Sequence, residues 1–213
     1  SQKSLLFVKK LSMKSFRDIL NLMAAEMNKT LYIIAGANGS GKTTFAMTYS
    51  ILKSLYFINA DEIAKQYGPT DLQKYKIKAG KEFFKQLEQY IEYNEESFII
   101  ETTLSGKYLV KVIEKAKKNN FEIVLIYLFL DDDTENILRV KNRVLNGGHD
   151  IPIEDIKRRY IRSRKLFLSL YKNMVDKYLI FFNGDDNYEL VAEDAEILDE
   201  DLYNLFLKGF ENE

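Results

Sequence analysis

Residues 36–43 read GANGSGKT, and no other stretch constrains the fold as tightly. Gly36, Gly41, Lys42 and Thr43 fill the pattern G-x-x-x-x-G-K-[ST], with the apolar run LYIIA before it and a helical periodicity after it. A glycine turn between strand and helix lets backbone N–H groups face phosphate oxygens, and the helix N-terminus adds positive potential. Lys42 suits the β- and γ-phosphates of a nucleoside triphosphate, and the Thr43 hydroxyl suits Mg²⁺. Asn38 and Ser40 are expected to serve the geometry of the loop. The candidate nucleotide-binding set is Gly36, Ala37, Asn38, Gly39, Ser40, Gly41, Lys42, Thr43 and Thr44. ATP is the expected nucleotide, with GTP left open.

A strand that feeds such a loop needs a sheet around it. Short apolar runs alternate with longer amphipathic stretches, the pattern of an α/β protein with a mainly parallel sheet. About five strands are predicted, at 30–35, 54–59, 97–101, 121–130 and 178–183, with helices over 42–53, 70–94, 106–119, 133–146 and 153–176. FIIE and IVLIYLFL are nearly unbroken apolar runs, as strands covered on both faces require. Residues 1–27 stand apart as an accessory helical segment, carried by Leu5, Leu6, Val8, Leu11, Phe16, Ile19, Leu20 and Met23. Residues 28–213 are read as one domain, ending after Val191 in an acidic, solvated helix.

Composition closes several routes. The 213 residues include no cysteine and one histidine, which removes disulfides, thiolate chemistry and multi-histidine metal sites. Any metal is expected to be a hard cation on oxygen ligands. A formal net charge of −1 supplies no global basic field to draw nucleic acid or an anionic membrane. The longest strongly apolar run, residues 123–130, is far too short to cross a bilayer. Lysines interrupt the apolar patch at the amino end, so a cytoplasmic location is the simplest reading.

Ligands of parallel α/β folds gather at the carboxyl ends of the strands. Asp61 follows the second strand in FINADEIAK, placed to take a proton from an attacking hydroxyl. The same residue could instead cap a helix beginning near Glu62, the weaker candidate for the base. Glu101 ends the third strand, where an acid can act through Mg²⁺-bound water or hold a substrate hydroxyl. Thr103 is a substrate contact or, with Ser105, a cap for a helix near Lys107. Leu104-Ser105-Gly106 echoes the signature of transporter-type ATPases, but no Gly-Gln follows and no later apolar strand ends in Asp-Glu, so that reading is rejected.

Between 139 and 165, nine Lys/Arg stand against three acids. Helical spacing puts Ile153, Ile156, Tyr160 and Phe167 on one stripe and Arg158, Arg162 and Lys165 on another, solvated one. Arg143 and His149 are the cations expected at the phosphates, with Arg158 or Arg159 behind them. Phosphoryl transfer spreads negative charge over its oxygens, and a cationic lid both lowers that barrier and excludes water. Gly147-Gly148 offers the hinge of such a lid and Pro152 the start of its return helix.

Taken in order, GANGSGKTT, NADEIA, AGK at 79–81, ETTLSGK, RVKNRVLNGGHDIPIEDIKRRY and FFNGDDN resemble the zeta-toxin-like P-loop kinases, in particular their compact branch often labelled as ATPases. The resemblance runs from Leu31 to Ala192. It implies a kinase-type P-loop sheet flanked by helices. The better-known toxins phosphorylate a hydroxyl of UDP-N-acetyl sugars and are restrained by an antitoxin. Carried over, Lys42 and Thr43 handle the phosphates and Mg²⁺, and Asp61 is the general base at the substrate. Glu101 and Thr103 position the substrate, with Glu101 also a candidate metal ligand. Arg143 is a lid arginine, and Asn183 lies near the nucleotide base. His149 stands where the larger toxins carry a second lid arginine, and an imidazole titrating at about 6.5 would make the charge of the lid depend on pH. The chain lacks the extra helices of the larger toxins, which puts the sugar-nucleotide acceptor in doubt.

The leading expectation is an ATP- and Mg²⁺-dependent small-molecule kinase. Its acceptor would be a hydroxyl of a UDP-N-acetyl sugar or a similar nucleotide-like metabolite, and an antitoxin is a candidate partner. A polynucleotide or RNA-end kinase is one alternative, to which the near-neutral charge lends little support. A non-catalytic nucleotide-binding regulator is the other, and it makes no demand on Asp61.

Overall fold

The computed structural model describes residues 29–67, 72–148, 150–184 and 187–208. Strand β1 (Thr30–Ala35) is buried along its whole length, and its side chains divide between two cores. Leu31, Ile33 and Ala35 join a cluster on one face of the sheet, while Tyr32 and Ile34 join a second cluster on the other. That division follows from the two-residue period of a strand and accounts for the continuous apolar runs.

β3 (Phe98–Thr102) and β4 (Glu122–Phe129) flank β1 in parallel. Outside them lie β2 (Tyr56–Ile58) and β5 (Lys177–Gly184), also parallel. Two antiparallel strands, β6 (Asn187–Glu193) and β7 (Glu196–Ile197), complete a seven-stranded sheet in the order β2-β3-β1-β4-β5-β6-β7. The expectation of about five strands is corrected by this added pair. Its signal is hidden by a bulge: Ile180 faces Ala192 and Phe181 faces Leu190, so Val191 has no partner across the ladder. An extra residue of this kind breaks the alternation by which strands are recognised.

Helix α1 (Lys42–Lys53) covers the second cluster through Phe45, Ala46 and Tyr49. The first cluster takes apolar residues from α2 (Ala60–Tyr67), α3 (Leu72–Tyr93) and α4 (Leu109–Lys118). Helix α5 (Asp133–Leu145) starts at Asp132, whose side chain accepts from the Glu135 N–H. Helix α6 (Ile153–Ser169) is shorter than the 153–176 expected, because a separate 3₁₀ turn at Tyr171–Asn173 leads into β5. The acidic tail forms α7 (Glu200–Leu207), and it is not merely solvated. Its Phe206 is fully buried and meets the rings of Tyr127, Phe129 and Phe167.

The accessory helices expected over 1–27 lie outside the described residues. Among the described residues no helix is long and apolar enough to cross a membrane. The chain leaves β1 toward β2 on one side and later crosses to β4 and β5 on the other. The carboxyl end of β1 therefore opens where the strand order reverses, the place where such sheets hold ligands.

Candidate active site

Four carbonyls of the glycine loop are occupied by side-chain donors. Lys42 Nζ donates to Ala37 O at 2.8 Å, Asn136 Nδ2 from α5 to Asn38 O at 2.6 Å, Asn183 Nδ2 from β5 to Ser40 O at 3.0 Å, and Tyr188 Oη from β6 to Gly41 O at 3.2 Å. The Ser40 N–H also donates to Ala37 O at 3.2 Å; with the carbonyls tied back in this way, N–H groups at the start of the helix can face an anion. Gly41 has a φ of 89°, and a Cβ there would lie 2.2 Å from Asn183 Nδ2, so no other residue fits. Asn183, expected near the nucleotide base, braces this loop through its Nδ2.

Beside the loop lies a cavity of about 1100 Å³ at the carboxyl edge of the sheet. Lys42, Thr43, Asp61, Glu101, Thr103, Arg143, Arg159 and Asn183 all line it. Glu101 ties two elements together: Oε1 accepts from Thr43 Oγ1 and Oε2 from Asn59 Nδ2, each at 3.0 Å. Burial lowers the pKa of Lys42, and the Glu101 carboxylate works against that shift. Burial likewise raises Glu101, with the Lys42 ammonium and the Thr43 hydroxyl opposing it.

The choice between base and helix cap for Asp61 turns on Asn59. Asn59 Oδ1 accepts from the Asp61 N–H at 2.7 Å and from the Glu62 N–H at 3.4 Å, so Asn59 starts α2. The Asp61 side chain is exposed on the cavity wall. Thr103 and Ser105 cap nothing either. Their hydroxyls bond each other at 2.9 Å, and α4 starts at Leu109 after Tyr108, with no side-chain cap.

The basic segment separates into distinct roles. Arg143 lines the cavity. Arg159 also lines it, holding Asn38 Oδ1 at 3.0 Å and Asp155 at 3.6 Å. Arg158 pairs with Asp155 at 2.9 Å on the exposed side of α6 and is not among the lining residues. Arg164 is buried and donates to Leu130 O at 2.9 Å and Phe206 O at 3.3 Å, which makes it a cation of the fold. Arg139 was expected only as part of the basic set; it lines the cavity and donates to Asn183 O at 3.1 Å. His149 lies outside the described residues.

The glycine pair stops α5. Gly147, at φ 81°, donates to Val144 O and Gly148 donates to Arg143 O, both at 2.9 Å, the paired bonds of a Schellman motif. Pro152 stands at the N-cap of α6. Among the described residues no group of three or more His, Asp or Glu gathers as a ready metal site. The hard-oxygen pair beside the loop is Thr43 Oγ1 and Glu101 Oε1.

A profile of the zeta toxin family matches residues 14–196. The chain belongs to the zeta toxin family. The match begins within the amino-terminal stretch and ends at the first residue of β7, so it takes in β1 to β6 of this zeta toxin-family sheet. The chain is 33% identical over 137 residues to an uncharacterized protein of Haemophilus influenzae, covering 62% of this chain and 93% of that protein. In fold it is similar to the AvrRxo1-ORF1:-ORF2 complex with ATP, at TM-score 0.66 and 15% identity, over 95% of this chain and 70% of that one. It is also similar to the PezAT chromosomal toxin-antitoxin system of Streptococcus pneumoniae, at TM-score 0.58 and 18% identity, over 92% of this chain and 89% of that one. The zeta toxin-family chain thus has a P-loop kinase fold with a nucleotide-binding loop.

Proposed function

We propose that this chain is an ATP-dependent kinase that transfers the γ-phosphoryl group to a hydroxyl of a UDP-N-acetyl sugar or a similar nucleotide-like metabolite. One observation carries the reading: a single cavity is walled by the phosphate loop, the carboxylates of Asp61 and Glu101, and the guanidinium groups of Arg143 and Arg159. Asp61 is the base of the proposal, since Asn59 does the capping of α2 and leaves the Asp61 carboxylate to the acceptor.

In this reaction the acceptor oxygen bonds to the γ-phosphorus as the bond from that phosphorus to the β–γ bridging oxygen breaks. The hydroxyl proton passes to Asp61, and ADP leaves with the electron pair. Lys42, Arg143 and Arg159 offset the charge that spreads over the transferring oxygens. Thr43 Oγ1 and Glu101 Oε1 fit Mg²⁺, which takes one or two protein oxygens and leaves its other positions to water and phosphate. Bound there, the ion would neutralise phosphate charge. Thr103 and the wall formed by Ala64, Ala79, Gly80, Phe84 and Tyr108 are left for the acceptor. Phe84 and Tyr108 stand edge to face at 5.4 Å, an aromatic surface suited to a ring.

A toxin role with an antitoxin partner is supported by the family and by the toxin-antitoxin system named for the pneumococcal neighbour. The test of the chemistry is Asp61→Asn. Its nucleotide affinity should match that of the unaltered chain while phosphoryl transfer falls roughly 100-fold or more. Undiminished transfer by this variant would remove Asp61 as the base.

A further inference from the structure

Asn59 stands at the end of the strand expected over 54–59, and its one amide group touches both carboxylate-bearing elements of the cavity. Asn59 is buried, only 7% exposed. Its Nδ2 donates to Glu101 Oε2 at 3.0 Å, and its Oδ1 accepts from the Asp61 N–H at 2.7 Å and the Glu62 N–H at 3.4 Å. Glu101 in turn accepts from Thr43 at 3.0 Å. An unbroken hydrogen-bonded chain therefore runs from α1 through Glu101 and Asn59 to the first turn of α2.

For the helix alone, asparagine is replaceable. Aspartate and serine start helices about as well, since the cap needs only an acceptor oxygen. The bond to Glu101 needs a donor as well. Aspartate has none at neutral pH, and serine is one atom group shorter. Asparagine meets both demands from one rigid amide.

We propose that Asn59 is a positioning residue that fixes the Glu101 carboxylate against Thr43 and, through the start of α2, sets its spacing from the Asp61 carboxylate. The use of that spacing rests on the kinase reading; the bond network itself does not. The variants that separate the roles are Asn59→Asp and Asn59→Ser, which keep the cap, and Asn59→Ala, which does not. The cap-retaining pair should bind nucleotide within about threefold of the unaltered chain while kcat drops about tenfold or more, because small misplacements of reacting groups are costly. Full kcat in both, with loss confined to Asn59→Ala, would reduce Asn59 to a cap and overturn the proposal.

A thermal-melting cycle on the nucleotide-free protein supplies a second reading that needs no turnover. Asn59→Ser should lower the melting temperature in the unaltered background and lower it less in a Glu101→Ala background. Equal losses in both backgrounds would contradict the Asn59–Glu101 link. An unaltered chain that forms no phosphorylated product, together with a non-additive cycle, would sink the kinase reading alone. An active chain whose cap-retaining variants keep full kcat would sink the Asn59 proposal alone.

Discussion

Burial works against both charges at the centre of the cavity. It lowers the pKa of Lys42 and raises that of Glu101, and each charge only partly restores the other. A carboxyl raised on folding binds its proton more tightly in the folded chain than in the unfolded one. Its contribution to stability is thus fully present below the ordinary carboxylate pKa of about 4.3 and is lost as pH rises through the raised value. Through this group, the nucleotide-free protein should melt at a lower temperature at neutral than at mildly acidic pH. Glu101→Gln should flatten that part of the melting profile and cost transfer activity. An unchanged pH slope in that variant would remove Glu101 as its source. That Lys42, Thr43, Asp61 and Glu101 line one cavity was legible in the sequence, because motif spacing and strand ends place them at one edge of the sheet. Asn59, Asn136 and Tyr188 were not, since their partners lie 42, 98 and 147 residues away. For Asn59 a local signal did exist, the Asn-x-Asp-Glu spacing of a helix start.

At the scale of elements, the end of α5 and the tail each carry a prediction. A Cβ at Gly148 would lie 2.5 Å from Arg143 Cγ and 2.8 Å from Arg143 O. Gly148→Ala must therefore move the Arg143 side chain and loosen the helix stop. Transfer should fall roughly tenfold in steady-state kinetics, with nucleotide binding less affected. Phe206→Ala should cost about 3–5 kcal/mol in denaturant unfolding, because it empties a fully buried aromatic site. A loss near zero would mean that α7 is dispensable to the core. β1, β3 and β4 were readable because double-sided burial makes their apolar runs continuous. The hairpin of β6 and β7 was not, because the bulge at Val191 breaks its alternation and Glu189, Glu193 and Glu196 interrupt its apolar pattern. Acidic neighbours also disguised the burial of α7, whose Phe206 is fully buried, with Leu202, Tyr203, Leu205 and Leu207 packed against the same core and Arg164 of α6 reaching the Phe206 carbonyl.

At the scale of the molecule, a sheet whose strand order reverses at β1 brings loop, carboxylates and arginines from separate parts of the chain to one cavity. The phosphate loop comes from the β1–α1 connection, Asp61 from α2, Glu101 from β3, Arg143 from α5 and Arg159 from α6. That convergence is what the kinase proposal rests on, and the chemistry of the acceptor is where the proposal goes beyond zeta toxin family membership. The most direct test is to incubate the protein with γ-labelled ATP, Mg²⁺ and a metabolite extract supplemented with UDP-N-acetylglucosamine, then identify the labelled product by mass. The account predicts a phosphomonoester on a nucleotide-like hydroxyl compound, formed by the unaltered chain and absent with Asp61→Asn. Label recovered only in ATP or as inorganic phosphate, or an equal yield of product from Asp61→Asn, would contradict it.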